Sequence, residues 1–486
     1  MKNQIQLITY VDRIGCRHIA ELDRLLNQEL QGLFGGVHLL PFFYPIDGED
    51  AGFDPIDHQQ VDPRLGDWKD IHQLSQHTAV MADLIVNHVS ADSIAFQDFL
   101  AKGEQSEYAD LFLCYDTIFP EGATEKDLLE IYRPRPGLPF TAVTLADGSR
   151  RMIWTTFTPK QVDIDVQAAR GIRYLEAILD CYQKAGISMI RLDAAGYAIK
   201  KAGTSCFMLP ETFAFIDSLT QKAHNSGIDV LVEIHSHYKT QIEIAQKVDY
   251  VYDFALPVLV LDTLFNCNAT HLKQWLQQSP RNCVTVLDTH DGIGVVDVAS
   301  DGAMPGLIPD PILDGIVQKI HQNSKGNSLK ATGAAASNVD LYQVNCTYFE
   351  ALGKDENAYV LARAIQFFVP GIPQVYYVGL FGDDNDMSLL QKTNVGRDIN
   401  RHFYTPEEIA EKKKTILFAR LKQLMLLRNT HSAFSGEFEI LDSKPQELHL
   451  QWTKEGESLT LHADLTTHKF QIVGAANGTE TTYIDN

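Results

Sequence analysis

The sequence predicts an α/β fold: a (β/α)8 TIM barrel with long insertions after strands 3 and 7 and a small C-terminal antiparallel β domain. Three observations predict it. Eight short β-branched and aliphatic runs recur along most of the 486 residues, nearly continuous in hydrophobicity, as suits parallel strands buried on both faces. Several are separated by helical patterns, which is the βαβα order of a parallel barrel. Two strand-to-helix connections are far too long for simple loops, and on a barrel both would lie at the C-terminal face, where active sites are built.

The runs are Gln4–Tyr10, Gly36–Leu40, Ala79–Val86, Ser188–Leu192, Asp229–Ile234, Asp249–Phe254, Cys283–Leu287 and Ile372–Val378. Between the third and fourth, Ile172, Leu175, Ile178, Leu179 and Tyr182 recur at helical spacing. A doubly wound open sheet is the alternative, but no GxGxxG turn follows the first run. The first long connection runs from Val86 to a helix starting near Val166. The second runs from Leu287 to a helix over Asn357–Val369. A final helix is expected at Thr405-Pro406-Glu407-Glu408, which reads as an N-cap, a proline at the first helical position and a glutamate at the third. After Phe434 the pattern turns to period two over Glu447–Thr453, Ser458–His462 and Lys469–Val473, three strands of a small antiparallel sheet. The expected division is barrel over 1–87, 168–291 and 357–433, insertions over 88–167 and 292–356, and the β domain over 434–486.

Composition narrows the function. Hydrophobic residues make 45% and charged residues 21% of the chain, an ordinary globular balance. A net charge of −22 argues against nucleic acid and anionic membrane, both of which reward clustered Lys and Arg. Seven scattered cysteines form no CxxC pair, which disfavours a disulfide scaffold or a structural zinc. No secretory leader and no membrane-spanning run is apparent, so a cytoplasmic location is expected.

Acidic residues stand where the runs end: Asp193 closes MIRLDA, Glu233 closes VLVEIH and Asp291 follows TVLDTH. Each alone reads more readily as a helix N-cap. Three, each beside a second polar residue (Arg191, His235, His290), are harder to explain so. Paired carboxylates are what cleaving a glycosidic bond requires. Arg191 would share a strand face with Asp193 and could keep it ionised, while a partly desolvated Glu233 could hold a proton. Other motifs stay open. Arg133 and Arg135 read more readily as a solvated loop face, and Phe53 and Phe157 equally as core; His235-Ser-His237 resembles a metal pair, but metal-dependent barrels of the amidohydrolase kind need that pair on the first strand.

With these residues in place, Asp83–His88 (DLIVNH), Arg191–Asp193 (RLD), Glu233 and His290–Asp291 (HD) resemble, in this order, the conserved regions of the α-amylase clan of glycoside hydrolases. Asp47–Asp57 (DGEDAGFDPID), Tyr132–Thr141 (YRPRPGLPFT), Ala202–Met208 (AGTSCFM), Thr285–Gly294 (TVLDTHDGIG), Thr332–Asn345 (TGAAASNVDLYQVN) and Gly396–Arg401 (GRDINR) are similar to the sucrose phosphorylase family within it. The resemblance runs from residue 4 to about residue 430.

The resemblance implies a retaining phosphorolysis of sucrose to α-D-glucose 1-phosphate and D-fructose. It would make Asp193 the nucleophile, Glu233 the general acid/base and Asp291 the transition-state stabiliser. Asp50 and Arg397 would pair at the closed end of the glucose pocket. His88, Arg191 and His290 would bind ring hydroxyls, with Phe53 and Phe157 as apolar platforms. Arg135, Tyr197, His235, Asp340, Leu341, Tyr342 and Gln343 would form the acceptor and phosphate subsite. An amylase-type hydrolase is the competing reading, and sucrose 6′-phosphate, glucosylglycerol or glucosylglycerate the competing substrates. The expected partners are sucrose, inorganic phosphate, fructose and glucose 1-phosphate, with no cofactor, no metal, no nucleic acid and no membrane, acting as a monomer or homodimer.

Overall fold

The structure, a computed structural model, describes residues 1–48, 50–133, 137–332, 343–476 and 478–486. Eight parallel strands close a barrel. They are β1 (Gln6–Thr9), β2 (Gly36–Leu39), β3 (Ala79–Ile85), β4 (Met189–Asp193), β5 (Asp229–Val232), β6 (Tyr250–Asp253), β7 (Cys283–Thr285) and β8 (Ile372–Tyr376). All eight fall within the predicted runs or overlap them by all but one residue. Closure is made by β1, which pairs with β2 on one side (Gln6 opposite Gly36) and with β8 on the other (Gln6 opposite Gln374). Nearly every strand residue is buried, because helices cover the outside and side chains fill the inside.

The inside is not wholly apolar. Asp83 on β3 stands opposite Arg191 on β4, and its carboxylate also reaches His38 of β2, at 2.6 Å and 3.0 Å respectively. This buried ion group is a polar layer directly beneath the C-terminal face. Outside, the helix Ala169–Ala185 buries Leu175, Ile178, Leu179 and Tyr182 and ends at Gly186 in the left-handed region (φ 76°). A Cβ there would lie 2.4 Å from the Ser75 hydroxyl, so glycine is needed for the stop and for the close approach.

Both insertions leave the barrel and return to it through a two-stranded antiparallel ladder. His88–Ser90 pairs with Gln161–Asp163, and Ile293–Gly294 pairs with Gln343–Val344. The first insertion carries a hairpin, Phe140–Thr144 with Arg150–Trp154, and a small core of Leu113, Phe119, Ile131 and Trp154 joined by Cys206. The second carries a helix, Asp310–Asn323, that the sequence reading did not single out.

Two expectations are corrected. The helix at Thr405 has the expected capping box but runs only over Pro406–Lys412. Thr415 then caps a separate final helix, Ile416–Thr430, so the second cap restarts the chain after a break. The C-terminal sheet has five strands in simple sequence order, not three: β9 (Glu437–Ile440), β10 (Glu447–Lys454), β11 (Glu457–Asp464), β12 (Lys469–Ala476) and β13 (Thr479–Asp485). The two additions are the edge strands, short or polar on both faces, which is how exposed edges are kept from pairing with other chains. The sheet docks on the barrel through Trp452, whose indole N–H donates to the Phe368 carbonyl at 2.7 Å.

Candidate active site

Period two within β4 puts Arg191 and Asp193 on one face, and the Arg191 guanidinium donates to Asp193 at 2.7 Å and to Asp83 at 2.6 Å through one nitrogen. Glu233 follows β5 directly. It lies 4.0 Å from Arg191, and the Ala194 N–H donates to it at 3.3 Å. Ala194 holds φ at 56°, a strained state for a residue with a Cβ, directly after Asp193. That turn aims its N–H back at Glu233. Asp291 follows β7 and forms an ion pair with Arg397 at 2.9 Å. The side chains of Asp193, Glu233 and Asp291 are each only 12–13% exposed.

Asp50 lies 3.6 Å from Arg397 and 3.8 Å from Arg401. Among the described residues, the expected Asp50–Arg397 pair is longer than the Arg397–Asp291 pair, which uses the same nitrogen. Phe53 stacks on His290 with ring centres 4.7 Å apart and planes at 11°. His88 is held by the Phe53 carbonyl at 3.0 Å and meets Phe157 edge-on at 5.3 Å. Phe157 packs on Tyr197, which belongs to a cluster with Tyr132 and Phe207. Phe53 is buried and Phe157 half-buried.

On the far side, His235 stacks on Phe254 at 3.9 Å, and its Nε2 lies 3.6 Å from Glu233 and 3.4 Å from the Gln343 amide. Arg135, Asp340, Leu341 and Tyr342 lie outside the described residues. His237 does not join His235: its ring nitrogens meet the Pro305 carbonyl and the Lys239 N–H. Among the described residues, ligand atoms of Glu233, His235 and Asp291 lie within 4.8 Å of one another, the spacing a cation would need. The His235 nitrogen that faces this group is the one opposite Nδ1, which Asp297 holds at 2.9 Å.

The carboxylates are pushed in opposite directions. Burial, reinforced by Glu233 and Asp83, pushes Asp193 up to about 8 against the pull of Arg191. Arg191 does favour the anion, as expected, but burial and two neighbouring carboxylates outweigh it. Burial also works against Asp291, yet Arg397, with Arg191 and Arg401 farther off, holds it well below the usual carboxylate range. Burial, with Arg191 and Arg401 nearby, holds His290 down at about 3 despite Asp291. A neutral imidazole both gives and accepts hydrogen bonds, as hydroxyl recognition needs. His38 and Arg191 overcome burial to hold Asp83 at about 2. Burial pulls His235 down, but Asp297, Glu233 and Asp291 together push it above its ordinary value.

Sequence reasoning assigned no role to several supporting residues. Asp83 and Arg401 lie inside motifs already singled out. His38 and Asp297 gave no signal, since an isolated polar residue in an apolar run or loop does not show which side chain it will meet. Lys200, 5% exposed, ties three segments, bonding Asp163 and Asn87 at 2.7 Å each and the Tyr197 carbonyl.

An eight-stranded parallel barrel with three carboxylates at the ends of β4, β5 and β7 defines a class of sugar-cleaving barrels. A family model described as "Alpha amylase, catalytic domain" matches residues 28–301. The chain is 59% identical over 477 residues to a sucrose phosphorylase of Agrobacterium vitis, covering 98% of both. It is 52% identical to a sucrose phosphorylase of Bifidobacterium adolescentis, over 95% of this chain and 92% of that one. A crystal structure of sucrose 6F-phosphate phosphorylase from Thermoanaerobacter thermosaccharolyticum superposes with a TM-score of 0.92 at 39% identity, covering 100% of this chain and 98% of that one. The chain belongs to the α-amylase family, in the branch that holds the sucrose phosphorylases. Among the described residues no helix is long and apolar enough to cross a membrane.

Proposed function

We propose that the protein is a retaining glycoside phosphorylase that cleaves sucrose with inorganic phosphate to α-D-glucose 1-phosphate and D-fructose. The observation that carries this reading is the convergence of Asp193, Glu233 and Asp291 around Arg191 at the barrel's C-terminal face. Similarity along nearly the whole chain to proteins named sucrose phosphorylase supports phosphate, rather than water, as the acceptor.

In the first step an Asp193 oxygen attacks C1 of the glucosyl unit. The bond from C1 to the fructosyl oxygen breaks, and Glu233 gives that oxygen its proton. Arg191 touches Asp193 at 2.7 Å and Glu233 only at 4.0 Å. Of the two ways to place one proton on this pair, the one with the proton on Glu233 leaves the anion beside the guanidinium. Asp291, held ionised by Arg397, faces the positive charge that develops at C1. In the second step a phosphate oxygen attacks C1, the ester to Asp193 breaks, and Glu233 takes up the acceptor's proton. Asp50, Phe53, His88, Phe157, His290 and Arg397 hold the glucosyl unit. Tyr197, His235 and Gln343, with Arg135, Asp340, Leu341 and Tyr342, meet fructose or phosphate. No metal or organic cofactor enters, because the carboxylates and Glu233 handle charge and proton between them. The segments 88–167 and 292–356 act as the domains that shape the acceptor side. Seven free cysteines favour a reducing, cytoplasmic compartment.

The test is incubation with sucrose, with and without phosphate, and identification of the sugars by NMR. Phosphate-dependent α-glucose 1-phosphate and fructose are expected. Free glucose formed equally fast without phosphate would make the protein a hydrolase. β-Glucose 1-phosphate as first product would exclude double displacement.

A further inference from the structure

One carboxylate on the acceptor side takes no part in the chemistry above. Asp297 lies in the insertion after β7 and is fully buried at 0% exposure. Its contacts run to the segment after β5. One oxygen meets His235 Nδ1 at 2.9 Å, and the other accepts from the Ser236 N–H at 3.2 Å and the Gln241 amide at 2.6 Å. Gly294 is what lets it in: a Cβ there would lie 2.6 Å from Asp297 and 3.2 Å from His235 Nδ1.

With Nδ1 facing a carboxylate, that nitrogen carries its proton in either charge state, and the variable proton sits on Nε2. Nε2 faces Glu233 at 3.6 Å, with Asp291 in the same group and Arg191 reaching Glu233 from the other side; the Gln343 amide nitrogen at 3.4 Å is itself a donor, and a protonated Nε2 takes Glu233 as its partner in place of it. His235 thus stands among three carboxylates where, on the phosphorolysis reading, a phosphate dianion must enter.

We propose that Asp297 is a positioning residue that fixes His235 as a cation with Nε2 aimed at the acceptor position, so that the glucosyl-enzyme is intercepted by an oxyanion in preference to water. The inference rests on the phosphorolysis reading and adds a charge that no motif announced. The upward push on His235 from its three acidic neighbours agrees with it.

The experiment partitions the glucosyl-enzyme formed from sucrose among phosphate, water and labelled fructose. In Asp297→Asn the phosphate-to-water ratio should fall about tenfold, while the ratio for neutral fructose changes by less than about threefold. The alkaline limit of phosphate capture should move to lower pH, and in His235→Gln that limb should vanish. Equal losses for phosphate and fructose would mean that Asp297 only shapes the segment, and an unchanged phosphate ratio would equally overturn the proposal. Should Asp297→Asn not fold, nitrogen-15 NMR of the wild-type imidazole decides: a neutral His235 at neutral pH, or one with Nδ1 unprotonated, sinks it. Sucrose cleavage by the wild type that ignores phosphate would instead remove the underlying phosphorolysis reading.

Discussion

The site has two halves built from the same residue type to opposite effect. Around the cleavage point, Asp193 shares one guanidinium with Asp83 and sits beside Glu233, so burial and like charge push it up to about 8. Toward the closed end, Asp291 has Arg397 at 2.9 Å, with Arg191 and Arg401 behind, and is held well below the usual range. Burial is alike in both, so the number of cations per carboxylate decides which half holds a proton and which holds a fixed charge.

The sharpest way to break this contrast is Asp193→Asn. Turnover should fall by at least about four decades, since an amide cannot serve as the attacking group. The same variant should be more stable than wild type at pH 8. Burial and like charge, which raise Asp193 to about 8, make the folded cleavage half keep one proton, the same proton that Glu233 gives up once the glucosyl unit is bound. From the ordinary carboxylate range up to that value the folded chain holds a proton the unfolded chain has lost, so stability falls as pH rises through the window. The amide has no such titration, and Tm measured against pH should show it. A Tm below wild type at pH 8 would mean that Asp193 is not strained in this way.

Arg191→Met should come next in size. It leaves Asp83, which is 0% exposed, with His38 alone, and should cost about 3–5 kcal/mol by denaturant unfolding. Asp291→Asn should lower turnover by two to three decades, about 3–4 kcal/mol of transition-state stabilisation. Here the stability sign reverses. A depressed carboxylate contributes stability above the ordinary range and loses it only as pH falls, so this variant should be less stable than wild type at neutral pH.

A smaller effect concerns pH. The cleavage half must keep one proton for the leaving group, and burial with like charge is what retains it there. kcat/KM for sucrose should therefore fall above about pH 8, and an alkaline limit two units higher would show that this half does not hold its proton in this way. The smallest expected effect is none: exhaustive chelation should leave turnover unchanged. Loss restored by a divalent ion would assign the Glu233, His235 and Asp291 group to a metal.

The cleavage half was the more legible in the sequence. Asp193, Glu233 and Asp291 stand at the ends of apolar runs, and alternation within MIRLD already put Arg191 beside Asp193. The direction of the Asp193 shift was not legible, because it depends first on how deeply the strand end is buried and then on Glu233 and Asp83 arriving from neighbouring strands. Arg397's preference for Asp291 likewise depends on two loops meeting. The same limit applies to the edge strands of the C-terminal sheet, whose pattern is polar on both faces, and to the restart at Thr415, where one cap reads like another until the break between two helices is seen.

The way the barrel closes has a consequence for how the chain is made. Gln6 pairs with Gln374, so the first strand emerges from the ribosome with one edge satisfied by β2 and waits for some 370 residues to be added before the other is covered. Until β8 follows, the nascent molecule presents an unpaired, apolar strand edge of the kind that recruits strands from other chains. The final helix then seals the bottom of that seam: the Arg428 guanidinium donates to the Asn3 side chain at 2.7 Å and to the Gly371 carbonyl at 3.3 Å, bridging the segments that lead into β1 and β8. Productive synthesis of this enzyme is therefore a race between finishing translation of its last barrel strand and association of that open edge with a neighbour.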